Sequence, residues 1–214
     1  MTLEKENGGK IGGDFMVSSI RRIAESAILI SIATVLSLFT FQGPWALGGG
    51  ITVCSMLPLI MIAQRHGTKW GILSSLVYSV LQLTLGISNV QYAPTALSAA
   101  GLIVFDYILA YTVLGFSACF NNVICDRRKA IVLGIVVTFL GRFLCHFISG
   151  VVIWEALFPN ELGWAPALWS LVYNGSYMLP EILITSFVAY FTYVPLKRYW
   201  LGDDMVRVKV SQSN

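Results

Sequence analysis

Charge is what this chain of 214 residues has least of: Asp, Glu, Lys and Arg together make up 12% of it, about half the roughly 25% of an ordinary soluble domain. Hydrophobic residues reach 56%, and mean hydropathy is +0.73. That balance argues against a soluble globular fold, and a net charge of only +3 gives no basic surface for nucleic acid. Cysteine is scarce as well. Cys54, Cys119, Cys125 and Cys145 fall in or near separate apolar runs with no CxxC pair; neither a disulfide framework nor a zinc site is suggested, and small side chains buried among helices are the better reading. No GxxxxGK[ST] stretch occurs, so the chain has no phosphate loop of its own for ATP. The polar start, Met1 to Arg22, contains acidic residues and lacks a cleavage-site pattern; it is not a signal peptide.

What the chain does have is apolar runs. They extend approximately over Ile23 to Phe41, Ile51 to Ala63, Trp70 to Leu85, Thr95 to Phe120, Ala130 to Ile153 and Ala167 to Tyr193. With about 20 residues needed per crossing, the expected fold is an all-α integral membrane protein of six transmembrane helices. The second and third runs are short and require tilting, local thinning or shielding by neighbours. The domain plan is a cytoplasmic N-terminal segment (1–22), a six-helix membrane domain (23–194) and a cytoplasmic C-terminal tail (195–214).

Basic residues orient the runs. Lys5, Lys10, Arg21 and Arg22 precede the first, Arg65 and Lys69 follow the second, Arg127, Arg128 and Lys129 follow the fourth, and Lys197, Arg198, Arg207 and Lys209 follow the sixth. The alternate loops, Gln42 to Gly50, Gly86 to Pro94 and Trp154 to Pro166, contain no Lys or Arg. By the positive-inside rule both termini are cytoplasmic. Of the fourteen basic residues only Arg142 departs from the pattern.

Arg142 and His146 are four residues apart inside an apolar run, on one helical face. An ionisable group at that depth costs a few kcal/mol unless it meets a partner or a polar cavity. At about 1.5 Å per residue from the outer ends, Arg142 lies about 18 Å deep, His146 about 12 Å, Asp106 about 16 Å, Asn174 about 10 Å and Glu181 about 21 Å. These residues can share one zone, with Trp154 and Trp169 at its mouth and Trp45, in a glycine-rich loop, able to fold over it. Such an acidic, aromatic lining suits a flat, positively charged ligand. Each residue also has a plainer role. Arg142 and Glu181 read best as a buried ion pair joining the fifth helix to the sixth. His146 serves equally as a core histidine, Trp154 and Trp169 as interfacial belt residues, and the Trp45 loop as a simple connector. Asp106 has no basic partner in view except Arg142.

Two stretches, Gly141-Arg-Phe-Leu-Cys-His-Phe-Ile-Ser-Gly-Val-Val-Ile-Trp154 and Tyr173-Asn-Gly-Ser-Tyr-Met-Leu-Pro-Glu181, closely resemble the thiamine-specific substrate-binding (S) component of energy-coupling factor (ECF) transporters. The Leu57-Pro58, Lys69-Trp70-Gly71 and Asp106-Tyr107 regions extend the resemblance across the chain. It implies an S-component bundle in a prokaryotic plasma membrane that captures thiamine outside. Delivery would go through a coupling membrane subunit and two ATP-binding cassette ATPases, with no enzyme activity and no cofactor or metal in this chain. By motif position the ligand contacts fall on Asp106, Tyr107, His146, Gly150, Trp154 and Asn174, with Trp45 as the lid tryptophan. Arg142 and Glu181 stand behind them. Ala27 and Ser31, at small-xxx-small spacing, take the coupling-subunit contact that the family makes with alanines on its first helix; packing within the chain is the other use of such spacing. Two departures stand out. Asp106 replaces a common glutamate, and Trp169 replaces a tyrosine, trading a hydroxyl for ring area. They leave a thiamine precursor open as ligand. A rival of another class, an intramembrane enzyme using His146 and Glu181, is opposed by the lack of a metal cluster or a helically paired set of carboxylates.

Overall fold

The computed structural model describes residues 3–45 and 48–204, with side chains from residue 19 onward. Helix α1 (Leu3–Leu38) leads through a short antiparallel pair, β1 (Thr40–Phe41) and β2 (Ile51–Thr52), into α2 (Leu57–His66) and α3 (Thr68–Leu85). A single-turn α4 (Ile87–Val90) precedes the long α5 (Ala96–Asn122), α6 (Arg127–Leu157) and α7 (Pro166–Thr192), and α8 (Lys197–Leu201) follows. Lys5 and Lys10 lie outside the described side chains, and Arg207 and Lys209 outside the described residues.

Local chemistry accounts for the boundaries. Pro58 and Pro166 sit in the first turns of α2 and α7, where a missing N–H costs nothing. Thr95 and Ser98 form a reciprocal capping box at the start of α5, and the Asp126 carboxylate accepts the Arg128 and Lys129 amides at the start of α6. Gly67, at φ 88°, turns α2 directly into α3; a side chain there would be strained.

Burial is inverted relative to a soluble protein. On α3, Ser74, Ser75, Ser79 and Gln82 are buried while Leu73, Val77, Val80 and Leu81 are exposed. Exposed leucines, valines and phenylalanines likewise cover the outer faces of α5, α6 and α7. A surface that apolar is stable against hydrocarbon, not water. The segments Ala96–Asn122 and Arg127–Leu157 are each long and apolar enough to cross a membrane. Inside, Leu59, Ile60, Leu114, Ile131, Ile135 and Phe139 form a dry core. Helices approach closely at glycines: a Cβ on Gly115 would collide with the Ile72 backbone, and one on Gly134 with the Ser117 carbonyl.

Three expectations change. The second run does not begin as helix, because Ile51 and Thr52 pair with Phe41 and Thr40 in the β ladder, and Cys54 takes a left-handed φ of 55° before α2 starts. The first helix ends at Leu38 and extends without a break N-terminally past Ile23 to Leu3. The cysteines are not uniformly buried. All four are unpaired, with Cys119 and Cys125 exposed and Cys54 and Cys145 half-buried; an apolar thiol on an apolar outer surface loses little by exposure.

Candidate ligand-binding site

Two helices depart from α geometry where the sequence places site residues. Ile103–Leu109 in α5 and Gly150–Trp154 in α6 are π-helical. A π-turn widens the helix locally and re-aims side chains, and such turns concentrate at functional sites. The first holds Asp106 and Tyr107, the second Gly150 and Trp154.

Between these stretches, α7 and the loop following α1 lies a cavity of about 340 Å³, within the range of small-molecule sites. Asp106 is its polar centre. Its carboxylate accepts from His146 Nδ1 at 3.0 Å, Ser149 Oγ at 2.8 Å and Trp154 Nε1 at 2.8 Å. Its partner is therefore His146, a residue that the sequence does not pair with it, and not Arg142. The reason is geometric: Arg142 Nη1 reaches Glu181 Oε2 at 3.1 Å, both side chains being almost wholly buried. Arg142 also packs its guanidinium 4.8 Å from the Tyr111 ring. Glu181 is engaged further, accepting from the Thr52 amide at 3.0 Å and the Thr52 hydroxyl at 2.6 Å. His146 bonds to Asp106 while Glu181 bonds to Arg142 and Thr52.

The other sequence-predicted residues fall as follows. Tyr107 lines the cavity but its hydroxyl is turned to the protein, donating to the Gly86 carbonyl at 2.9 Å and accepting from Asn89 Nδ2 at 3.1 Å. Asn174 also lines it, with its amide nitrogen donating to the Ser170 carbonyl and hydroxyl at 3.0 and 3.1 Å and its oxygen accepting from Tyr177 at 2.6 Å. Only one lone pair of that oxygen remains for anything else. Gly150 lines the cavity for a packing reason: a Cβ there would overlap the Ser170 side chain and crowd Asn174. Trp154 and Trp169 both line it. Trp154 stacks on Phe158, ring centroids 6.1 Å apart, and Trp169 packs against Trp164 and Tyr173.

Trp45 is not in the cavity wall; it lies edge-on to Tyr177, which is, and its Nε1 donates to Ser176 Oγ at 2.7 Å. With Tyr173 donating to the Gly48 carbonyl at 2.8 Å and Glu181 holding Thr52, the loop is tied to α7 at three points. Gly48 and Gly49 have φ of 99° and 92°, and a side chain on Gly49 would strike the Tyr177 ring. Ala27 and Ser31 are exposed on α1 and are not among the cavity-lining residues, with Ser31 Oγ bonded back to the Ala27 carbonyl.

Sequence reasoning missed Ser149, Tyr111, Tyr177 and Glu155. Ser149 lies three residues after His146, so the helical i, i+3 relation alone pointed at it. Among the described residues no cluster of His, Cys, Asp and Glu is arranged to hold a metal ion.

Comparison with known proteins agrees with this architecture. The thiamine transporter ThiT of Bacillus subtilis (strain 168) is 28% identical over 191 residues, spanning 85% of this chain and 95% of that protein. A solved structure of ThiT from Listeria monocytogenes superposes with a TM-score of 0.67 at 22% identity, over 86% of this chain and 98% of that one; at that identity it establishes the fold. Residues 23–200 match the thiamine transporter protein family, and the chain belongs to that family.

Proposed function

We propose that this membrane protein is the thiamine-capturing S component of an ECF-type uptake system. In this reading six helices cross the prokaryotic plasma membrane, both termini are cytoplasmic, and the membrane domain comprises residues 23–194. The absence of basic residues from the loops at the cavity end supports an outward-facing site.

The observation that carries the ligand reading is the charge of the cavity wall. Its one arginine, Arg142, is taken by Glu181, so the negative charge of Asp106 is left without a full cationic partner inside an aromatic enclosure. Thiamine has a permanent positive charge on its thiazolium ring and hydrogen-bonding groups on its aminopyrimidine. The aromatic wall attracts the cation through ring faces and Asp106 attracts it through charge. Asp106 also holds His146 by Nδ1, which leaves Nε2, a buried atom with no partner among the described residues, to bond the ligand. The tethered loop carrying Trp45 closes the site.

Capture is not transport. The sequence holds no phosphate loop, so delivery is assigned to a coupling membrane subunit and two ATP-binding cassette ATPases. Ala27 and Ser31 supply a small-residue strip on α1 for the coupling subunit; the internal bond of Ser31 leaves that strip without a polar demand.

The test is a tryptophan-fluorescence titration of the purified chain with thiamine and its pyrimidine fragment. Thiamine should quench strongly, and Asp106→Asn and His146→Ala should each weaken binding by at least ~1 kcal/mol, the scale of a charge-assisted hydrogen bond. Unchanged affinity in both variants refutes the site. Uptake into liposomes by the chain alone refutes the partner-dependent mechanism.

A further inference from the structure

Glu155, one residue after Trp154, lines the same cavity. Its two oxygens are used very differently. Oε1 accepts twice from Asn160, from the backbone amide at 3.2 Å and from Nδ2 at 2.7 Å. Asn160 is itself fixed by Trp164, donating to its carbonyl and accepting its amide, each at 2.9 Å. The turn after α6 is thus a clamp that holds the carboxylate in one orientation. Oε2 is buried and has no hydrogen-bond partner among the described residues. A solvated surface carboxylate would expose that atom; buried in a residue of the cavity wall, it is an acceptor open to a donor on the ligand.

Glu155 stands nine residues beyond His146 on one helix, about 13 Å further along its axis. It therefore belongs to the mouth of the cavity, where the distal end of an elongated ligand would lie. From this geometry we infer that Glu155 is the specificity-determining residue for the ligand's tail. Its unmatched oxygen accepts from the hydroxyl of an unphosphorylated cationic ligand, and its charge opposes a phosphate ester at that same position. The inference rests on the thiamine-binding reading above. With Arg142 engaged by Glu181, no arginine or lysine in the cavity wall is left to receive a phosphate.

The experiment compares binding of thiamine and thiamine monophosphate to the purified full chain and to Glu155→Gln, which is isosteric and keeps the contact to Asn160 Nδ2. Wild type should prefer thiamine. In Glu155→Gln that preference should shrink by about tenfold, the scale of one charge-assisted hydrogen bond. Glu155→Ala, which removes the group altogether, should shift the ratio in the same direction and guards against a fault peculiar to glutamine. A preference unchanged in both variants, with thiamine still bound by wild type, overturns the role of Glu155 alone. Failure of wild type to bind thiamine overturns this inference together with the reading it depends on.

Discussion

The two ends of the bundle bury charge in opposite ways. At the cavity end, carboxylates lack a full counter-charge among the described residues: Asp106 bonds to His146, Ser149 and Trp154, and Glu155 bonds to Asn160. At the other end, charges close on one another. The Arg65 side chain is fully buried and meets Glu25 at 2.6 Å and Asp204 in a two-pronged contact at 3.0 Å, donates to the Tyr199 carbonyl, and lies 3.8 Å over the Tyr199 ring. That cluster fastens α1, α2 and the segment around α8 together. The same residue types serve both ends, and the distinction lies in counter-charge: the Arg65 guanidinium meets two carboxylates within the chain, whereas Asp106 meets only a histidine and two neutral donors.

This contrast is open to attack. The largest effect is expected from Arg65→Leu, which strands Glu25 and Asp204 without their common cation. Breaking a buried charge cluster from one side costs about 3 kcal/mol or more, so detergent thermal unfolding should drop by many degrees while the folded fraction still binds ligand. Loss of binding with unchanged stability would mean that the two ends are not separate in function. Gly150→Ala comes next. Its methyl group overlaps Ser170, and overpacking of that kind costs about 1–3 kcal/mol; titration calorimetry should show weakened binding, because the displaced helix carries Asn174.

The smallest effect concerns acid. Burial alone would raise the Asp204 pKa, but the hydrogen bond to Arg65 and its charge, aided by Asp204's own backbone and Arg21, hold the carboxyl below its usual range. A folded-state pKa below the unfolded value near 3.9 means stability that is complete above about pH 4 and is lost as pH falls through the folded value. Asp204→Asn should flatten the acid limb of a melting curve measured between about pH 5 and pH 3, and a limb of unchanged slope would remove Asp204 from the cluster's energetics.

Much of the helical plan was legible because apolar runs and basic loops are long-range patterns that tolerate errors of a few residues. Ile51 and Thr52 were misread for a definite reason: in an apolar run helix and strand look alike, and what decides between them is pairing with Thr40 and Phe41 across a glycine loop. Asp106 and His146 were found as anomalies of polarity, yet their mutual bond was not, since it depends on the local winding of α5 and α6. Glu155 escaped notice because a carboxylate at the end of an apolar run resembles an ordinary helix end. Its significance comes from Asn160 holding one oxygen and leaving the other, a distinction between two atoms of one side chain that no spacing rule contains.

The π-helical stretches at Ile103–Leu109 and Gly150–Trp154 also make chain length itself a determinant of the site. Each fits more backbone into a turn than an α-helix does, so removing one residue would let the helix relax to ordinary winding. The flanking segments would keep their phase, but the side chains within the stretch would be re-aimed. Asp106 would then leave His146 although every side chain of the site was still present. Single-residue deletions in these two short windows should therefore harm binding more than most substitutions within them, and the count of residues there is as much a part of the binding site as their identity.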